Sequence, residues 1–128
     1  MKISDSQCDE TTLTRMGAEA CELITKGNYR ELADRFGYAL AFGKDTAEAI
    51  QMEVEDCLSK SGASERLSVP SQPAIRVGFF SPDSELFCAV VECQLKLTGG
   101  AGNMRIDLIV TNNGNEKYVT LEEISHTT

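Results

Sequence analysis

This chain has one histidine, no cluster of basic residues, no long apolar run and no cysteine pair at metal-site or redox spacing, and each shortage removes a class of function. A single imidazole, His126, cannot supply the second ligand or the oriented base that catalytic triads and most catalytic zinc sites require. A cysteine nucleophile would need the same imidazole, and a Ser-His-Thr-Thr end is a poor place to hold one rigidly, so His126 reads as part of a disordered tail. No metal and no cofactor are expected.

Basic residues are few: 12 Lys and Arg stand against 20 Asp and Glu, a formal net charge of -8. Both halves of the chain are acidic, so no basic face hides beneath the total, and nucleic acid and anionic membrane are not expected as partners. A basic protein or a cationic ligand would instead be steered in. Met1 to Glu10 is polar and acidic, unlike a secretory signal, and no segment approaches the roughly 20 apolar residues of a membrane span. The five cysteines, Cys8, Cys21, Cys57, Cys88 and Cys93, are odd in number and irregularly spaced. They read as free thiols in a reducing cytoplasm, three of them at core-facing positions where Cys acts as a small hydrophobe.

What the chain does have is ordinary globular material. The apolar share is 41% and the charged share 25%. A chain of 128 residues buries roughly two-thirds of its unfolded surface, enough for one complete core. A single α+β domain over 1–128 is expected, with a helical part at 10–62, a linker at 59–73 and a sheet at 74–125.

Apolar residues recur at helical spacing in the first half: Leu13, Met16, Ala20, Leu23 and Ile24, then a stop at Gly27. Asn28 with Glu31 three residues on reads as a cap. The stripe Tyr29, Leu32, Ala33, Phe36, Ala39 and Leu40 then predicts a second helix closed by Gly43. Asp45 with Glu48 starts a third, carrying Ala47, Ile50, Val54, Cys57 and Leu58 to a stop at Gly62. The polar stretch from Ser59 to Pro73 reads as an extended connection.

Beyond it the period changes to two. Ile75, Val77 and Phe79 alternate with smaller or polar residues, and Ser81-Pro82-Asp83-Ser84 turns the chain into a strand from Glu85 to Leu97. Gly99-Gly100-Ala101-Gly102 reverses it again, and lacks the Lys-Ser/Thr and following helix of a phosphate-binding loop. Met104, Ile106, Leu108 and Val110 alternate next, and Asn113-Gly114 leads to Tyr118 through Ile124. A four-stranded antiparallel meander follows, with the three helices packed on one face. Pairing Phe79 with Phe87 sets Val77 against Ala89 and Ile75 against Val91, and the odd-numbered apolar residues of both strands gather beneath the helices.

The other face is polar around Arg76, Glu92, Arg105 and Asp107, but it also carries Phe80, Leu86, Cys88, Val90 and Ile109. An apolar patch on a wet sheet face marks an interface, here a homodimer or partner contact, unless the linker or N-terminal tail covers it. Asp107 reads as a cross-strand ion pair and Asp34 shares a helical face with Tyr38. A ligand pocket, if the domain has one, would lie between helices and sheet, lined by Tyr29, Phe36, Tyr38 and Phe42.

Three helices followed by an antiparallel meander, with the stretch Asn28-Tyr29-Arg30-Glu31-Leu32-Ala33 to Gly43-Lys44-Asp45, resembles cystatin-like and nuclear-transport-factor-like domains of small bacterial proteins. It departs from the second fold in lacking a strand between its helices. The resemblance implies dimerisation through the outer sheet face and an accessory or binding role. The expected function is a non-catalytic cytoplasmic interaction protein, homodimeric through the sheet, with the acidic third helix open to a basic partner. The alternative is a small-ligand-binding domain or minor enzyme.

Overall fold

In the computed structural model, which describes residues 1–62, 73–81, 83–97, 102–113 and 116–127, the chain begins with a strand that the sequence pattern does not announce. This two-residue strand, β1 (Lys2–Ile3), pairs antiparallel with the C-terminal strand, Lys2 opposite Tyr118 and Ile3 opposite Lys117. The Met1 amino group donates to the Val119 carbonyl at 2.8 Å and Ile3 is 4% exposed, so the N-terminus belongs to the core. The sheet therefore has five strands, one more than the meander expected.

Asp9 opens α1 (Glu10–Thr25) by accepting the Thr12 amide at 2.7 Å, which satisfies one of the helix's unpaired first-turn donors. All five residues of its expected stripe are buried. The second helix, α2 (Tyr29–Phe36), is shorter than its stripe implied. Gly37 takes φ +68°, a conformation open to a residue without Cβ, and the next residues leave the helix axis. The Ala39 amide then donates to the Leu121 carbonyl at 2.9 Å, so Tyr38 to Leu40 runs beside the last strand rather than continuing a helix to Gly43. Asn28 takes the N-cap position of α2 as expected, but its side chain does not accept a first-turn amide; its side-chain Nδ2 donates to the Glu31 carboxylate at 2.9 Å. The third helix, α3 (Thr46–Ser61), follows its pattern: Asp45 accepts from the Glu48 amide at 3.1 Å and Gly62 ends it in the left-handed region. Most of the expected linker, residues 63–72, lies outside the described residues, as do Pro82, 99–101 of the glycine turn and Gly114.

The remaining strands are β2 (Ala74–Phe79), β3 (Phe87–Lys96), β4 (Asn103–Asn113) and β5 (Glu116–Thr127), in the spatial order β1-β5-β4-β3-β2, antiparallel throughout. The β2–β3 register is offset by two residues from the expected pairing. Phe79 lies opposite Ala89, Val77 opposite Val91 and Ile75 opposite Cys93. An offset of two preserves side-chain parity, so the odd-numbered apolar residues still share one face. Helix α1 lies on that face: a Cβ at Gly17 would meet Val91, Cys93 and Ile75 side chains. Helices α2 and α3 pack on β5.

Two bulges adjust the pleat. In β3 the ladder steps from Phe87 opposite Thr111 to Ala89 opposite Val110, leaving Cys88 as the extra residue. In β5 it steps from Leu121 opposite Leu108 to Glu123 opposite Asp107, leaving Glu122. The buried apolar positions of β5 accordingly change from odd, Val119 and Leu121, to even, Ile124. That change hid the end of the strand from a period-two reading, and β5 continues through His126, which lies opposite Met104 rather than in a tail. Among the described residues, no helix is long and apolar enough to cross a membrane.

Candidate functional site

A groove of about 300 Å³ runs between α3 and the C-terminal half of β5, lined by Leu40, Glu53, Asp56, Cys57, Lys60, Glu123, Ile124, Ser125 and His126. Its position follows from the fold. Glu53, Asp56, Cys57 and Lys60 recur at three- and four-residue steps along one side of α3, and the β5 bulge at Glu122 places Glu123 and Ile124 in sequence along its rim. Three carboxylates line it against one lysine, and Lys60 is held by Asp56 at 2.9 Å. The groove therefore keeps a negative balance.

Tyr38 sits among these residues. It is 7% exposed, and its hydroxyl is buried with no hydrogen-bond partner among the described residues. Burial, with Glu53 next in weight, pushes its ionisation up to about 12; the nearby Ile124 amide opposes this without reaching hydrogen-bond geometry, and Cys57 and Glu123 add to the rise. A buried, unpartnered hydroxyl costs stability, and it is the kind of group that a bound donor would satisfy.

Cys57 and His126 line the same groove, the pairing that a cysteine nucleophile would require. The electrostatics run the other way. Burial, then Asp56 and Glu53, raise the Cys57 thiol to about 11, with Lys60 opposing weakly. It is a neutral thiol at physiological pH, and a groove rich in carboxylates stabilises positive charge rather than a thiolate. Among the described residues no group of three or more His, Cys, Asp or Glu is placed to hold a metal ion.

The four aromatics expected around a pocket do not share one environment. Phe36 is buried under the Arg35 guanidinium, 5.7 Å above its ring. Tyr29 packs partly against the core near Glu55, and Phe42 stands 82% exposed with φ +50°, a left-handed backbone unusual for a bulky residue. Tyr38 is the member of the set that lies among the groove residues. Asp34 and Tyr38 do not share a helical face, since α2 ends at Phe36. Sequence reasoning placed Glu123 and Ser125 in the last strand but assigned them no role, and left His126 outside it, because the bulge at Glu122 changes which residues turn toward α3.

The outer sheet face divides into two zones. Arg105 Nε donates to both Asp107 oxygens at 3.0 and 3.1 Å, and its Nη2 donates to Glu92 at 3.0 Å, while Arg76 pairs with the other Glu92 oxygen. Two cations meet two carboxylates, and Asp107 is only 6% exposed, more buried than a surface pair would be. Toward the β2–β3 turn the surface is apolar: Phe80, Leu86 and Phe87 are each 42% exposed or more, while Phe79, the last residue of β2 and on the helix-facing side, is also exposed. The Phe80 and Phe87 rings lie 5.8 Å apart. Val90 and Ile109 are opposite one another and half-buried. Cys88 departs from the expected patch: its bulge lets it pack against the core, with Sγ 2.9 Å from Cys8 Sγ. The N-terminal segment covers that one member of the set. No protein-family model, curated protein or solved structure matches this chain.

Proposed function

We propose that this domain is a non-catalytic binding module whose α3–β5 groove receives a cationic group, the lysine or arginine side chain of a basic protein partner. The unpartnered Tyr38 hydroxyl, buried next to the groove residues Glu53, Cys57 and Glu123, carries this reading, because groove side chains that part to admit an N–H would bring it a partner while the charge met the carboxylates. The raised Cys57 thiol supports binding over catalysis. Leu40 at the rim and the exposed Phe42 two residues on offer apolar contact to the same partner. The net charge of -8 favours encounter with a basic protein, and the reading includes a reducing cytoplasm in which the five cysteines are free. The order of helices and sheet supports the likeness to cystatin-like and nuclear-transport-factor-like domains.

The test is calorimetric titration of a short lysine-rich peptide into the wild type, a Glu53→Gln/Glu123→Gln variant and a charge-matched Asp83→Asn/Glu85→Gln control. Weakened binding in the groove variant alone supports the reading. Equal weakening in both means diffuse attraction and refutes it.

A second reading concerns self-association. The exposed residues around Phe80 and Leu86, continuous with Val90 and Ile109, favour a homodimer through the outer sheet face. A second copy is the occupant that the charges favour, since the ion-paired Arg76, Arg105, Glu92 and Asp107 sum to zero, with Glu122 and Glu123 beside them, in an acidic protein. Two such faces meet with less repulsion than net charge imposes elsewhere.

A further inference from the structure

The five thiols are not equivalent, and four of them form spatial pairs that sequence spacing conceals. Cys21 of α1 and Cys93 of β3 are neighbours, both buried to within 2% of full enclosure. Cys8, just before α1, meets Cys88 of β3 at an Sγ–Sγ separation of 2.9 Å, and both are only half-buried. We propose that Cys8 and Cys88 are partners in a reversible disulfide that clasps the N-terminal segment to β3.

Geometry and access single out this pair. A disulfide bond is about 2.05 Å long, so the sulfurs need approach by less than about 1 Å. The backbone on both sides can give that much, because Cys8 lies in the connection before α1 and Cys88 occupies a bulge outside the regular ladder. Cys57 has no thiol neighbour among the described residues and is 2% exposed, and Cys21 and Cys93 are buried between α1 and β3, shielded from a dissolved oxidant.

The chemistry is thiol–disulfide exchange with a small-molecule disulfide such as oxidised glutathione. A thiolate of one cysteine attacks a sulfur of the reagent, expelling one small thiolate and leaving a mixed disulfide. The second cysteine, as its thiolate, attacks the protein sulfur of that mixed disulfide and expels the other. Two protons leave the protein thiols and are taken up by the two released small thiols; the protein loses two electrons and the reagent gains them. Burial and the neighbouring sulfur hold Cys8 up to about 12, with Lys117 opposing, so exchange is slow at neutral pH and quickens as pH rises.

What the clasp holds is marginal by itself. Strand β1 contributes two residues to the sheet, and of its flanking ion pairs Lys2 with Glu116 is exposed on both sides and Lys117 with Asp5 on the aspartate side. Release of β1 would uncover the β5 edge at Val119, which now bonds the Met1 carbonyl at 2.7 Å. The bond would keep that edge closed.

The experiment treats the folded full chain with excess oxidised glutathione at mildly alkaline pH, then maps peptides without reduction and follows amide exchange. The expected result is one internal disulfide joining Cys8 and Cys88, no glutathione retained, Cys21, Cys57 and Cys93 still free, and exchange at Ile3 and Val119 slowed roughly tenfold or more. Cys8→Ser should leave glutathione attached at Cys88. A stable glutathione adduct on wild-type Cys8 or Cys88, a fully reduced protein, a crosslink between any other pair, or unchanged exchange at Val119 would each overturn the proposal.

Discussion

Gly17 faces Cys93 with no room to spare: a Cβ at Gly17 would stand 2.9 Å from Cys93 Sγ and 3.0 Å from Val91 Cγ1. Helix propensity alone says that alanine at this mid-helix position should stabilise by about 1 kcal/mol. Contact reverses the sign, because both neighbours are fully buried and cannot swing aside. Gly17→Ala should cost about 1–3 kcal/mol in urea denaturation, as overpacking does. A rise in the unfolding midpoint would show that α1 does not sit this close.

Tyr38→Phe should raise stability by about 1–3 kcal/mol at neutral pH, since it removes a buried hydroxyl without a partner and keeps the ring's packing. The same variant tests the alkaline limb. A folded pKa raised from the ordinary value of about 10 to about 12 means that the unfolded chain loses the proton first, so stability is intact below about pH 10 and drains through pH 12. Cys57, raised to about 11, and Cys8, raised to about 12, act in the same direction from lower starting pH. Chemical denaturation across pH 8 to 12 should show a shallower decline for Tyr38→Phe than for the wild type.

Arg105→Met should destabilise by about 1–3 kcal/mol, because Asp107 loses both of its Arg105 hydrogen bonds while remaining enclosed. Replacing both residues, as Arg105→Met/Asp107→Leu, should recover part of the loss, since the pair's burial is itself costly. If the double variant is less stable than Arg105→Met, Asp107 is held by something other than Arg105.

Self-association through the outer face predicts a dimer in light scattering coupled to size exclusion, and a monomer for Phe80→Glu. Phe80 is 42% exposed, so a folding defect is not expected from the substitution, and circular dichroism checks this. Monomers in both samples would remove the second reading and leave the groove unaffected.

The elements that were legible in the sequence are those set by local chemistry. The Asp45–Glu48 cap, the Gly62 stop and the stripes of α1 and α3 need only neighbours three or four residues away. What the pattern hid depends on distant partners. Helix α2 stops at Gly37 because Ala39 finds the Leu121 carbonyl, 82 residues on, and β1 forms because β5 offers it an edge. The groove was least legible: Glu53 and Asp56 read as a solvated acidic face, and Glu123 and His126 came to them through a bulge that no alternation announces. The apolar cluster at Phe80 and Leu86 was visible because both stay exposed, whereas the inward turn of Cys88 required knowing where the ladder slips.

The claim that matters most is that Tyr38 and the groove carboxylates receive a positive charge together. The direct measurement is an NMR titration of isotope-labelled wild type and Tyr38→Phe with the lysine-rich peptide. The substitution leaves net charge unchanged, so diffuse attraction to an acidic protein is held constant. The account predicts shifts centred on the Ile124 amide, Glu123 and the Tyr38 ring, and affinity roughly tenfold weaker in Tyr38→Phe, the worth of one charge-assisted hydrogen bond. Equal affinity in the two proteins, or shifts scattered over the surface with none at Ile124, would contradict it.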